Sequence, residues 1–226
     1  MPADSIDQLC ALVADLEPED NYFAYFATPL RCRSAVMDQE QLSLTIDILV
    51  GGSIHSRWTL VCEGVIEHRI TLGSYDWIAV HDDHPLLYEY VQPRADLYFT
   101  KAASNPYETA GKLRGAHEQV LGDWRPIHQY TNSGVELARL LSEPSGQLAG
   151  GPRNVIDAYA AALTPLPTTV LSVGNPKRWD AHRGVFVDIP EVRLLVLSYD
   201  EEPTFAVAER FSARRLPDGE LGDPSL

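Results

Sequence analysis

The chain has 226 residues, 45% of them apolar, enough to build a sizeable core as one large domain or two small ones. Lys and Arg total 18 against 32 Asp and Glu, a formal net charge of −14. That charge repels phosphate backbones and anionic membranes and favours solubility and a basic partner.

Cys10, Cys32 and Cys62 are odd in number, far apart and free of any CxxC spacing, so they read as reduced core residues rather than a disulfide, zinc or redox framework. The start, MPADSIDQLC, lacks the basic n-region of a signal peptide. No apolar run approaches the roughly 20 residues of a membrane helix. The expectation is a cytoplasmic, bacterial-type acidic protein.

In chain order, residues 5–16 form an amphipathic helix capped by Asp4 or Ser5, with Ile6, Leu9, Cys10, Val13 and Leu16 on one face. The aromatic cluster 21–26 reads as an edge strand or a turn of helix. Residues 30–36 suit a short strand. Leu42, Leu44, Ile46, Ile48 and Val50 alternate strictly with polar residues, the clearest strand of the chain. Trp58, Leu60 and Cys62 continue the pattern up to Gly64, read as a turn or bulge. Further strands are expected at 66–72, 77–80, 86–91 and 96–100.

Helices follow. Asn105, Pro106 and Glu108 supply an N-cap, a first-turn proline and a capping-box residue. Ser133 and Glu136 suggest a second capping box, and Pro152 opens a third helix with Val155, Ile156, Tyr159, Ala160 and Leu163 on its apolar stripe. Gly150-Gly151 and Gly51-Gly52 read as turn glycines. Strands return at 168–173, 184–189, 192–198 and 204–211, with a hairpin loop at 198–203. The predicted fold class is α+β, a mostly antiparallel β-sheet with a helical segment packed on it. The expected organisation is a single domain over 1–216 (β-rich 22–100, helical 105–163, β-rich 168–211), with 217–226 a disordered acidic tail.

The chain carries no P-loop, no GxGxxG, no GxSxG elbow and no calcium-loop pattern. His117-Glu118 opens like a zinc-protease helix, but Leu121 stands where the second histidine belongs. His81, Asp82, Asp83 and His84 form the densest polar spot. His81, Asp83 and His84 are weak metal candidates, and a turn before proline is equally where Asp and His sit. No cofactor is expected.

His117 lies on an apolar stripe and reads as a core histidine donating to a backbone carbonyl, or as a general base. The loop 122–132 concentrates hydrogen-bonding side chains. There Trp124, Arg125 and His128 are candidate binding residues, or Trp124 plugs the core while the others tie the loop down. Residues 178–183, with Trp179 among them, have the same character. Carboxylates are plentiful, but no acid–base pair stands out.

The strand Trp58-Thr-Leu-Val-Cys-Glu-Gly-Val65, in an acidic chain, resembles certain bacterial toxin-immunity families over the first hundred residues. The resemblance implies a cytosolic binder that occludes a toxin's active site, its contacts made by the acidic loops: Asp82 and Asp83, and Asp200, Glu201 and Glu202. The expected partner is a protein, basic by charge complementarity, and neither nucleic acid nor membrane. The rival reading is an enzyme with a site built from His81, Asp83, His84, His117 and His128, metal-dependent or not. A third is a structural subunit that self-associates through its edge strands or the aromatic cluster.

Overall fold

A computed structural model describes residues 5–16, 29–132, 136–180, 183–197 and 204–217. The aromatic cluster 21–26, Ser133, the loop 198–203 and the acidic tail from 218 onward lie outside these described residues.

The first described elements are helix α1 (Ile6–Ala14) and strands β1 (Leu30–Asp38), β2 (Gln41–Val50), β3 (Ser53–Glu63), β4 (Glu67–Arg69), β5 (Gly73–Tyr75) and β6 (Ile78–His81). Next come a short helix α2 (Tyr88–Val91), strand β7 (Arg94–Phe99), helix α3 (Pro106–Leu121), a turn of helix α4 (Leu137–Leu140), strand β8 (Gly146–Pro152) and helix α5 (Arg153–Ala162). The chain ends in strands β9 (Thr168–Gly174), β10 (Lys177–Asp180), β11 (Val185–Asp188), β12 (Arg193–Leu197), β13 (Thr204–Ala208) and β14 (Arg210–Arg215). Among the described residues every strand pairing is antiparallel, so the fold is α+β with mostly antiparallel sheets. Among the described residues no helix is long and apolar enough to cross a membrane.

The chain divides into two compact units, one made of Met1–Asp83 with Val192–Leu226, the other of His84–Glu191. Strands far apart in sequence close the first unit.

In that first unit one sheet runs β14-β3-β2-β1-β5 and a second runs β4-β13-β12-β6. The strict alternation of β2 buries Leu42, Leu44, Ile46 and Ile48, which share one core with Leu195, Leu197, Ala206 and Ala208 from the second sheet. Helix α1 adds Ile6, Leu9 and Val13 to that core. Its cap is Ser5, one of the two expected, and it closes a full capping box: the Ser5 hydroxyl accepts from the Gln8 N–H at 3.2 Å and the Gln8 side chain accepts from the Ser5 N–H at 3.1 Å. The expected single strand 204–211 is instead two. The chain bends at Glu209, whose N–H donates to the Glu63 carbonyl at 3.0 Å, and so passes from one sheet to the other. On the outer face of β2, the Asp47 carboxylate is fully buried against the Arg57 guanidinium, Nε to Oδ1 at 2.6 Å, with Arg33 Nη1 3.4 Å from Oδ2.

In the second unit β7 is the centre of a three-stranded sheet, β8-β7-β9, and turns Ala95, Leu97 and Phe99 into a core with Val155, Ile156 and Tyr159 of α5 and Leu113 and Leu121 of α3. Helix α3 begins as expected, the Asn105 side chain accepting from the Glu108 N–H at 3.3 Å. Two expectations differ here. The apolar run 86–91 is a 3-10 turn (Pro85–Leu87) followed by α2, because His84 caps it: its Nδ1 accepts from the Leu86 N–H at 3.2 Å. Gly150 and Gly151 are not turn glycines but part of β8, inside the stretch read as helical. A Cβ at Gly151 would stand 2.5 Å from the Tyr130 ring, and one at Gly150 2.6 Å from Asp96 Oδ1.

Candidate functional site

The second unit holds the two surfaces with binding character, and its core histidine explains how one of them is held. Helix α3 turns Leu113, Ala116, His117 and Leu121 inward. His117 Nε2 lies 2.7 Å from the Arg125 carbonyl oxygen, which only accepts, so that nitrogen carries the proton. In the neutral ring Nδ1 then accepts from the Tyr159 hydroxyl, also at 2.7 Å. Both nitrogens are thus engaged by the protein. Burial pushes the Tyr159 phenol well above its ordinary range, and burial followed by the nearby Glu89 carboxylate does the same to Tyr130. Through His117, which bonds both Tyr159 and the Arg125 carbonyl, the loop after α3 is pinned to the core.

That loop leads to a 3-10 turn (Ile127–Gln129) and then runs along the edge of β8, where the Asn132 N–H donates to the Leu148 carbonyl at 2.9 Å and the Gly150 N–H to the Tyr130 carbonyl at 2.8 Å. Between this edge, the first half of α3 and α4 lies a cleft of about 540 Å³ whose walls include Tyr107, Gly111, Arg114, His128, Asn132 and Glu136.

The second surface is the hairpin β10–β11. It forms a two-stranded sheet of its own, with Trp179 opposite Phe186 and the rings in edge-to-face contact at 5.1 Å. Both remain largely in solvent, Trp179 at 56% and Phe186 at 65% exposure. Strand β9 before it exposes Leu171 and Val173, and β11 exposes Val185. Five of the large exposed apolar side chains therefore fall between residues 171 and 186, where an ordinary surface scatters them singly.

The candidate residues read from sequence fall apart into separate places. Trp124 is half-buried with its ring edge-on to His84 at 4.5 Å, and Arg125 is half-buried with its carbonyl bound to His117. His128 is exposed on the cleft wall. Asp82 is exposed and ion-paired to Arg193, and Asp83 is exposed at the end of the first unit. Asp200, Glu201 and Glu202 lie outside the described residues. His81 stands edge-on to Trp77 at 6.5 Å. Among the described residues no three His, Cys, Asp or Glu side chains converge as a metal site would require, so His81, Asp83 and His84 are not brought together as ligands. The thiols are poor nucleophiles: burial raises Cys62 to about 12 and Cys32 to about 11.

Phe186, Tyr107, Arg114 and Glu136 escaped the sequence reading as site residues. For Phe186 a signal existed, since KRWD and VFVD are short alternating runs flanking Gly184, which takes φ +64. For the cleft there was none, because its walls come from three separate segments. Comparison with protein-family models, with curated proteins and with solved structures gives no match.

Proposed function

We propose that this chain is an acidic binding protein that takes a partner protein onto the aromatic hairpin β10–β11, acting in the cytoplasm as an immunity-type neutraliser that occludes its target. The observation that carries this reading is the Trp179–Phe186 pair, two large rings in mutual contact yet more than half exposed. A two-stranded hairpin is marginal in water by itself, and Trp is the residue type most enriched among binding hot spots. A partner laid over this face buries both rings and gives the hairpin the layer it lacks.

The net charge of −14 selects the chemistry of that partner. A basic protein is drawn in by the field of the whole chain, which raises the association rate more than the final affinity, and the aromatic pair then sets the dissociation rate. The resemblance of residues 58–65 to immunity families points to the same class.

The test is affinity capture from the source cells, with Trp179→Ser/Phe186→Ser alongside and with low-salt and high-salt washes. The expected result is one stoichiometric basic protein on the wild-type chain, weakened by salt and lost from the double variant. Capture of no basic partner, or of one that the double variant retains, overturns the reading.

A further inference from the structure

The cleft of the second unit has its own chemistry, unrelated to the hairpin. Arg114 on α3 and Glu136 ahead of α4 line the same cavity of about 540 Å³ and carry opposite charges, yet they form no ion pair with each other or with any described residue. Elsewhere in this unit neighbouring opposite charges do pair, as in Lys112 with Glu108 at 2.8 Å and Arg153 with Asp157 at 2.8 Å. The Asn132 amide and the His128 ring stand on the same wall, likewise uncommitted among the described residues. Of the rest, Ala110, Ile127, Leu137 and Ala138 are apolar, while Tyr107 and Thr131 each add a hydroxyl. A cavity of this volume is within the range of small-ligand sites, and a few polar groups on an apolar lining is their usual make-up.

Gly111 adds a second observation. It sits inside α3, where glycine costs helix stability relative to alanine, and it faces this cleft. A Cβ built there meets no atom within 4 Å, so the packing of the fold does not require glycine. Gly115, one turn further along α3, is equally unobstructed but does not line the cleft, whereas a methyl at Gly111 would stand in its wall.

The geometry points to a binding site for a small peptide-like zwitterion, of the size of a dipeptide or tripeptide, its carboxylate held by Arg114 and its ammonium by Glu136. Arg114 offers the planar fork that matches a carboxylate, and Asn132 and His128 supply further hydrogen bonds along the backbone between the two charges. A purely anionic ligand leaves Glu136 facing like charge, and a purely cationic one leaves Arg114 so.

The experiment is a titration of the ¹⁵N-labelled full chain with a panel of free dipeptides and with the same dipeptides N-acetylated or C-amidated. The expected result is that at least one free dipeptide shifts amides of residues 107–114, 127–132 and 136–138, and that blocking either end weakens its binding about 10-fold or more, as does Arg114→Gln or Glu136→Gln. Both side chains are solvent-exposed, so these variants keep the fold. Gly111→Ala gives an independent readout: it raises the melting temperature while weakening the dipeptide. The inference is overturned if no free dipeptide shifts these amides, if blocked and free dipeptides bind alike, or if Arg114→Gln and Glu136→Gln leave binding unchanged.

Discussion

Replacing Asp47 with alanine removes the carboxylate that neutralises Arg57 inside the unit of Met1–Asp83 and Val192–Leu226. The Asp47 side chain is 0% exposed and that of Arg57 9%, and two contacts join them, Nε to Oδ1 at 2.6 Å and Nη2 to Oδ2 at 3.4 Å. Breaking a buried pair from one side costs about 3–5 kcal/mol, because the remaining charge stays where water cannot solvate it. Against a total stability of about 5–15 kcal/mol this is about a fifth of the whole or more. At an m-value of about 2 kcal/mol/M, the urea midpoint falls by about 2 M. Trp58, buried in the same core, reports the unfolding of this unit by fluorescence. The loss is expected to be nearly independent of salt, since screening acts weakly on buried charge. Asp47→Leu combined with Arg57→Met is expected to recover most of the stability, because apolar side chains of similar volume need no counter-charge. A loss below about 1 kcal/mol for Asp47→Ala is what an exposed pair gives and would refute the burial argument.

Three further outcomes follow from the packing. Tyr159→Phe removes the donor to His117 Nδ1 and is expected to cost about 1–2 kcal/mol, read by urea unfolding and by faster amide exchange over residues 122–130. Gly151→Ala drives a methyl into the Tyr130 ring and is expected to destabilise the second unit by about 1–3 kcal/mol; an unchanged melting temperature refutes the close approach. For the thiols, both Cys62 (about 12) and Cys32 (about 11) are raised from the ordinary value of 9.0. The folded state therefore holds more protons above pH 9: their contribution is full below that pH and is lost as pH rises towards 11–12, at about 1.4 kcal/mol per pH unit for each thiol. In native labelling Cys10, only half-buried, reacts before the other two; prompt reaction of Cys62 at neutral pH would contradict its burial.

What the sequence made legible is what local chemistry decides. The caps at Ser5 and Asn105 and the alternation of β2 involve residues within a few positions of one another, and all three appear as read. The glycine-rich β8 was illegible because the period-2 signal needs side chains, and glycine stands there to let Asp96 and Tyr130 approach. The bend at Glu209 was illegible for another reason: whether a run such as 204–211 stays in one sheet depends on β3 and β4, residues 53–69, far away in sequence. Of the candidate sites, residues 178–183 stand out in sequence for their mixed polar and aromatic side chains, but the Phe186 ring that meets Trp179 needed the register of the hairpin. The cleft needed three segments placed together, which no window along the chain contains.

The nested arrangement has a consequence for synthesis. Strand β6 ends at His81, and the strand it pairs with, β12, places Leu194 opposite it. A ribosome adding about 5–20 residues per second needs about 5–20 s to make residues 84–191 before β12 begins to emerge. Through that interval β3 lacks β14 and β6 lacks β12, so both present open edges of the kind that recruit other chains. The intervening unit, continuous in sequence, is complete meanwhile. The earliest-made segment, Met1–Asp83, thus belongs to the unit that is last to close.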